Sequence, residues 1–134
     1  MFRPVRKRFG PAHGDDVPSD DAFLYHATSL ERATDIAVEG LVTRGPSWGT
    51  DQDAWPDGST ERRSYWISKA RLAWSFAPEG EPVILRVLKT AAAFKREHGT
   101  GDFYARKKIH AEHLEIVDAE GRWHPISDLL EGRG

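Results

Sequence analysis

The residue types best suited to chemistry fall in three short segments, and the first segment centres on a histidine. His26 ends an apolar strand predicted over residues 22–26 and stands just before a helix start. The free N–H groups at a helix start favour anions, and a neutral imidazole beside them can donate a hydrogen bond to a sugar hydroxyl. A single histidine at a strand end is more often a surface or core residue, so His26 indicates a site only together with partners from other segments.

An aromatic pair supplies the second candidate group. Tyr65 and Trp66 are adjacent in a strand predicted over residues 64–68, so their side chains point to opposite faces. One ring should pack in the core. The other could present a flat face on which a base or a similar ring stacks.

A carboxylate from later in the chain completes the set. Asp102 opens a strand predicted over residues 102–106, after a loop that contains glycine. In a cleft, this carboxylate could polarise an acceptor hydroxyl or stabilise a positive charge that develops during a reaction. Glu112 and Glu115 are alternative acids, although alternation along a strand turns Glu115 away from the face of its apolar neighbours.

Other chemistries fit the sequence less well. The chain has no cysteine, which excludes disulfides, cysteine–zinc sites and a cysteine nucleophile. It also lacks the G-x-S-x-G turn of serine hydrolases, the phosphate loop of nucleotide hydrolases and the G-x-G-x-x-G dinucleotide fingerprint. His110 and His113 form an H-x-x-H pair, but no second pair matches it, so we expect no metal.

Composition describes an ordinary globular chain. Of the 134 residues, 39% are apolar and 30% charged, and the formal net charge is -2, which does not indicate nucleic-acid or membrane binding. No apolar run approaches the ~20 residues that span a bilayer, and the start of the chain lacks the apolar stretch of a secretory signal. We therefore expect a cytoplasmic protein with no membrane partner. A basic run at Arg106, Lys107 and Lys108 is most simply a solvated face.

The domain organisation follows from where regular patterns begin. Residues 1–20 are rich in Pro and Gly and predict a flexible arm ahead of a single domain over 21–134. Residues 44–63 lack a period, and an irregular stretch of about twenty residues inside a small domain is often a binding loop. Strands dominate after residue 80 without helices between them, which predicts an α+β fold and not a doubly wound parallel sheet.

Local signals predict the elements that flank the candidate residues. Thr28 can cap a helix, and Glu31 three residues later would complete a capping box. Gly40 is the predicted end of that helix, and Ser68 can cap a second helix. The residues that recur on one face of the first helix, and are therefore predicted to be buried, are Leu30, Ala33, Ile36 and Ala37.

Later segments predict mainly strands. The run 82–89 is apolar enough to predict a strand covered on both faces. Residues 90–100 are predicted to be irregular or partly helical. A strand over 114–117, a turn over 118–121 and a last helical turn over 126–130 complete the pattern.

Taken in order, these segments resemble the ADP-ribosyltransferase superfamily. The likeness is closest to its poly(ADP-ribose)-polymerase-like branch, which has a His-Tyr-acid triad and includes small bacterial toxins. It covers about residues 22–130 and rests on the order and spacing of short motifs. Those motifs are Leu24-Tyr25-His26-Ala27-Thr28, a helix ending at Gly40-Leu41, Tyr65-Trp66-Ile67-Ser68, the strand from Val83 to Lys89, Asp102-Phe103, and the segment from Ile109 to Val117.

The resemblance implies a split, strongly bent β core that holds NAD in a cleft. It implies a catalytic triad of His26, which binds the ribose next to nicotinamide, Tyr65, which stacks on nicotinamide, and the acid Asp102. The residues implied in NAD binding are His26, Thr28, Arg44, Tyr65, Trp66 and Ser68.

The chain departs from the family pattern at two positions. The family spacing, counted back from Ser68, selects Trp66 as the stacking aromatic, whereas we favour Tyr65. The third residue is an aspartate, Asp102, where glutamate is more common, and its shorter reach could weaken or change transfer.

The activity implied by the resemblance is NAD-dependent ADP-ribosyl transfer, in the manner of a toxin or defence effector. Nicotinamide would be released, and a macromolecular acceptor, protein or nucleic acid, would take ADP-ribose. A cognate antitoxin or immunity protein is an expected partner. One alternative is an RNA 2'-phosphotransferase-like enzyme, whose cleft would draw positive charge from Arg62, Arg63 and residues 106–108. Another is a non-catalytic NAD-fold or a module that binds nucleic acid or protein.

Overall fold

The computed structural model describes residues 9, 17–46, 54–55, 58–70, 73, 82–97 and 102–131. In this part of the chain, strands make up most of the regular structure, with one α-helix of ten residues and two 3-10 helices of defined bounds. In chain order the elements are β1 (Phe23–Ser29), α1 (Leu30–Glu39), β2 (Ser64–Trp66), β3 (Pro82–Leu88), β4 (Phe94–Arg96), β5 (Phe103–Ala105), a 3-10 helix (Ala111–His113), β6 (Leu114–Val117), β7 (Trp123–Pro125) and a second 3-10 helix (Ile126–Leu130).

The strands form two antiparallel sheets, which confirms the predicted α+β class. Within the described part of the chain, the first sheet has four strands in the order β1-β3-β6-β7, and the second has three in the order β2-β5-β4. Every pair within the sheets is antiparallel. The predicted strand over 82–89 is β3, and it lies between β1 and β6.

The predicted burial of β3 on both faces is also confirmed. Val83, Ile84, Leu85 and Val87 are all fully buried. Alternate residues of β3 join two different apolar clusters, one beneath α1 and one on the opposite face of the sheet. Arg86 is the polar exception, and its Nε donates to a Glu115 carboxylate oxygen at 2.8 Å.

The helix begins one residue later than its capping signal predicts. The expected capping box of Thr28 and Glu31 is wrong, because β1 continues to Ser29 and the Ser29 hydroxyl accepts the Arg32 amide at 3.0 Å. Thr28 remains a strand residue paired with Val83. The predicted buried face of the helix is confirmed, since all four of its members are buried: Leu30, Ala33, Ile36 and Ala37.

Two further predictions need correction. His26 lies in the middle of β1 and not at a strand end, because β1 spans Phe23–Ser29. The stretch 90–100, expected to be irregular or partly helical, contains β4, which pairs with β5. β4 was missed because three residues, two of them charged, are too few to establish an alternating pattern.

Residues outside the predicted domain also contribute to its packing. In the predicted arm, Phe9 is fully buried in the core and meets the His124 ring edge-on at 5.4 Å between centroids. Val17 is buried in the second apolar cluster. The Ser19 hydroxyl accepts the amide of Ala70 at 2.8 Å. The rest of the arm, and most of the second helix predicted after Ser68, lie outside the described residues.

Among the described residues, one isolated backbone pair joins the two sheets. Tyr25 and Ile67 exchange hydrogen bonds of 2.7 and 2.8 Å, and this pair ties β1 to the chain just beyond β2. Another isolated pair joins Arg44, which belongs to neither sheet, to Arg63 just before β2. In the described part of the chain, no helix is long and apolar enough to cross a membrane.

Gly40 ends α1 as predicted, and its environment makes it hard to replace. Its φ is +83°, its amide donates to the Ile36 carbonyl, and a Cβ built there would lie 2.6 Å from the Ile109 carbonyl oxygen. That oxygen already accepts the Leu41 amide at 2.9 Å. The glycine therefore meets a backbone requirement and a steric requirement at once.

Replacement of three glycines should separate these two effects. Gly40→Ala should lower the free energy of unfolding most, since strain at positive φ costs ~1–3 kcal/mol and the clash with a backbone oxygen adds to it. Gly58→Ala, at φ +85° with open space around the Cβ, should show the strain alone. Gly45→Ala, with open space and no positive φ, should be nearly neutral. Urea denaturation measures all three, and equal losses for Gly40 and Gly58 would contradict the steric account.

Candidate active site

A cavity of about 250 Å³ opens where β1 and the chain around β2 separate. The two segments share the single pair Tyr25–Ile67 among the described residues, and β2 itself pairs with β5. The cavity is therefore the space between the two sheets where they separate. The described residues that line it are Tyr25, His26, Ala27, Tyr65, Ile67, Ala73 and Asp102.

The three residues predicted as a triad all lie on this cavity wall. His26 comes from the middle of β1, Tyr65 from the middle of β2, and Asp102 from the position just before β5. Residues 26, 65 and 102 are far apart in sequence, so the antiparallel pairing of β2 with β5 and the bridge from Tyr25 to Ile67 are what bring them together.

A backbone hydrogen bond sets the chemical state of His26. The Nδ1 atom lies 2.8 Å from the carbonyl oxygen of Tyr65. A carbonyl oxygen only accepts, so Nδ1 must carry the proton, and in the neutral ring Nε2 is left as an acceptor. The expectation that this ring donates to a sugar hydroxyl is therefore reversed, because a hydroxyl would donate to Nε2.

Burial keeps this ring neutral. Burial lowers the pKa of His26 below its ordinary value of 6.5, the bond to the Tyr65 carbonyl opposes that effect, and the positive charge of Arg32 lowers the pKa further. Trp66 lies beside the imidazole, with 5.2 Å between the ring centroids. A neutral, braced imidazole is suited to positioning a ligand hydroxyl.

The aromatic pair separates as the strand pattern predicts. Trp66 is fully buried in the core, where its Nε1 donates to the Ser64 hydroxyl at 3.1 Å. Tyr65 is half-buried, lines the cavity and meets Trp55 at 4.9 Å between centroids. The ring available for stacking in the cavity is therefore that of Tyr65.

A buried ionic network holds the Tyr65 hydroxyl. Arg63 and Glu97 are 2% and 3% exposed, and Arg63 Nη1 donates to Glu97 at 3.3 Å and to the Tyr65 oxygen at 2.9 Å. The Tyr65 hydroxyl in turn donates to Glu97. Burial, and then the bond to Glu97, raise the pKa of Tyr65, so the hydroxyl keeps its proton.

The Arg63 guanidinium is further stabilised inside the second sheet. It lies 3.8 Å from the centroid of the Tyr104 ring and donates to one Glu61 carboxylate oxygen at 3.0 Å from Nε and 2.8 Å from Nη2. Its backbone pairs with Arg44, through reciprocal bonds of 2.9 Å. Every part of Arg63 therefore helps to fix the strand that carries Tyr65.

Asp102 lies just before β5, at the end of the hairpin where β4 and β5 are connected. Its carbonyl accepts the Glu97 amide at 2.7 Å, which closes the hairpin next to the cavity. Burial, and then the negative charge of Glu97, raise the pKa of Asp102 above its ordinary value of 3.8. A carboxylate in this state is a stronger base and interacts more strongly with a positive charge that develops beside it.

The other residues predicted for NAD binding are not among the described residues of the cavity wall. Thr28 is buried in β1, and the backbone of Arg44 braces Arg63. Trp66 lies behind His26, and Ser68 follows the Tyr25–Ile67 pair. These residues support the cavity or flank it.

The alternative acids and cations have other roles. Glu112 is exposed in a 3-10 helix, and Glu115 is bonded to Arg86. Arg62 Nη2 donates to the Thr43 carbonyl at 2.8 Å. Among the described residues no group of three or more His, Cys, Asp or Glu could hold a metal ion.

Sequence reasoning proposed Arg63 only as a cation of the alternative RNA-binding cleft, but the structure buries this side chain in the network with Glu97, an acid that the sequence reasoning missed. The alternation of Arg63 and Tyr65 was a usable signal, because it puts both side chains on one strand face, where a buried guanidinium requires an acid. The identity of that acid depends on the pairing of β4 with β5, which the local sequence does not reveal.

No protein-family model matches the chain, and neither the curated proteins nor the solved structures include a significant match to it.

The tautomer and protonation of His26 can be read by NMR. Long-range ¹H–¹⁵N spectra should reveal a neutral ring protonated on Nδ1 at pH 7, with titration below 6.5. Because the folded pKa is lowered, the unfolded chain takes up a proton first, so stability should fall as pH drops through and below 6.5. His26→Gln identifies the signal and should lessen that fall. A proton on Nε2, or titration above 6.5, would contradict this account.

Breaking the network should cost stability in a specific way. Glu97→Gln leaves the shape nearly unchanged but removes the buried charge opposite Arg63, so the free energy of unfolding should drop by about 3–5 kcal/mol. Lys95→Ala, an exposed position on the adjoining strand, is the control and should stay within about 0.5 kcal/mol. Urea unfolding followed by circular dichroism compares them, and a similar small effect for both would mean that the buried pair contributes little.

Proposed function

We propose that this protein is an NAD-dependent ADP-ribosyltransferase and that the cavity between the two sheets binds the nicotinamide end of NAD. The observation that supports the proposal most directly is that His26, Tyr65 and Asp102, from three separate elements, line one cavity. The finer fold proposal, an ADP-ribosyltransferase-like split core, is supported by the two sheets that meet at the isolated pair Tyr25–Ile67.

The cavity suits a flat ring with an attached sugar better than a whole dinucleotide. Its volume of about 250 Å³ lies just below the ~300–1,000 Å³ typical of sites for complete small ligands. Ala27, Ile67 and Ala73 give it apolar walls, while His26 and Asp102 supply polar groups. This combination fits nicotinamide and its ribose, with the rest of NAD lying beyond the described walls.

Each polar group has a distinct role in the proposed reaction. The Tyr65 ring stacks on nicotinamide, since its hydroxyl is already held by Glu97 and Arg63. The Nε2 atom of His26 accepts a ribose hydroxyl proton in a hydrogen bond and so fixes the sugar. These contacts orient the bond to be broken and require no covalent intermediate with the protein.

The proposed transfer balances with Asp102 as the base. The bond between nicotinamide nitrogen and ribose C1' breaks, nicotinamide leaves with the bonding electrons, and positive charge develops on the sugar, as in other glycosidic chemistry. The Asp102 carboxylate stabilises that charge. It then accepts the proton of the acceptor oxygen or nitrogen as that atom bonds to C1'.

Activity and NAD binding should depend on the triad. Incubation with labelled NAD and separate pools of protein, DNA and RNA should release nicotinamide and label one pool. His26→Ala and Asp102→Asn should each lower the rate by roughly 10²–10⁴-fold. His110→Ala and Asp35→Asn, at exposed positions, are matched controls and should stay within about twofold.

Thermal shifts separate catalysis from binding. NAD should raise the melting temperature of the wild type, and the shift should be lost in His26→Ala. If NAD produces a thermal shift but no nicotinamide is released from NAD with any of the acceptor pools present, the protein is a binding module and not an enzyme. If NAD causes no thermal shift and no nicotinamide is released, both the proposed ligand and the proposed reaction are refuted.

A further inference from the structure

A group of exposed cations surrounds the open end of the β4–β5 hairpin, opposite the end that carries Asp102. The chain as a whole has a formal net charge of -2, so this group is a local concentration of positive charge. A second cavity, of about 270 Å³, opens within it. We call this cavity the basic cleft, and its described lining residues are Ala91, Ala92, Ala93, Ala105, Arg106, Lys107 and Lys108.

The hairpin register explains why a cleft forms here. Phe94 and Ala105 are the outermost pair of the two strands, so the chain before β4 and the chain after β5 separate beyond it. Ala91, Ala92 and Ala105 provide small apolar walls. The side chains of residues 106–108 are exposed along its rim. A shallow apolar space bordered by cations can accept a sugar or base while the cations contact phosphates.

Further cations extend this surface along the hairpin. Lys89, Lys95 and Arg96 are exposed, and both Lys89 Nζ and the Arg96 guanidinium lie about 6 Å from the centroid of the Phe103 ring. Lys95 is paired with Tyr104, which is paired in turn with Tyr65, so Lys95 is on the sheet face that carries the Tyr65 side chain.

Of the acids in the described segments, only one forms an ion pair with these cations. Among the described residues, Arg106 is the member of the group with an ion pair, to Glu61 at 3.6 Å, and half of its side chain is exposed. The same Glu61 is shared with the buried Arg63. The remaining cations therefore present their charge to solvent, which favours a partner that carries regularly spaced negative charge.

We infer that the basic cleft binds the phosphate backbone of a nucleic acid strand, and, resting on the proposed function, that this strand is the acceptor of ADP-ribose. Asp102 and Arg106 flank β5 and are four residues apart along the chain, or ~13 Å at ~3.3 Å per residue. A strand held in the cleft spans that distance with about four nucleotides at ~3.4 Å each. The hairpin thus places the cleft within reach of the candidate active site.

Nucleic-acid binding can be measured without NAD, on the full chain. Fluorescence anisotropy of labelled 20-nucleotide single strands of RNA and DNA should detect binding that weakens as salt is raised. Replacing Lys107 and Lys108 together by glutamine should weaken binding roughly tenfold and make the slope of log K against log salt shallower by about 1.4, or ~0.7 for each lost phosphate contact. The matched control is Arg122→Glu, which changes net charge by the same two units at an exposed side chain on the β6–β7 turn.

The outcomes separate this inference from the proposed function. The nucleic-acid assignment would be overturned if both variants weakened binding equally or if neither weakened it. It would also be overturned if polyglutamate competed as strongly as unlabelled oligonucleotide. If His26→Ala still binds the oligonucleotide and no NAD reaction is found, the proposed function is refuted. The basic cleft is then supported as a nucleic-acid site. If the double glutamine variant still labels a nucleic acid with NAD at an unchanged rate, the proposed function stands and the role of the basic cleft is refuted.

Discussion

The isolated backbone pair between Tyr25 and Ile67 is the contact on which the candidate site depends. It ties the edge of a four-stranded sheet to the chain leaving a three-stranded sheet, and the described strands pair no further at this junction. Because the two segments separate after this pair, no backbone amide of β1 reaches the Tyr65 carbonyl. The Nδ1 atom of the His26 side chain donates to that carbonyl instead. One constraint therefore creates the cavity, selects the tautomer of the imidazole and fixes the ring next to the ligand space.

The second sheet is stabilised by charge, in contrast to the apolar core of the first. Arg63 and Glu97 are almost fully buried, and each would be costly alone. Together with Tyr65 and Glu61 they satisfy one another, and the guanidinium also lies against the Tyr104 ring. The same network contributes to the electrostatics of the cavity, because burial first, and then the charge of Glu97, raise the pKa of Asp102. Structural stability and chemical tuning are therefore parts of one interaction.

The parts of the fold and site that could be predicted from sequence are those encoded by local patterns. The buried face of α1, the glycine that ends it, and the apolar β3 all follow from periodicity or from a backbone requirement. The opposite orientations of Tyr65 and Trp66 follow from alternation alone. The strand β4 is too short to show an alternating pattern. The helix cap at Ser29 and the acid partner of Arg63 were not predictable either, because each depends on pairing between segments distant in sequence.

The β4–β5 hairpin gives physical meaning to the uneven distribution of charge along the chain. At one end, the Glu97–Asp102 closure presents a carboxylate to a cavity whose histidine is neutral and whose tyrosine keeps its proton. At the other end, exposed cations border the basic cleft. The cations that line the cleft, at residues 106–108, begin four residues along the chain from Asp102, so their attraction for a polyanion acts about one strand length from the carboxylate. A net charge of -2 for the whole chain therefore conceals two local environments of opposite character.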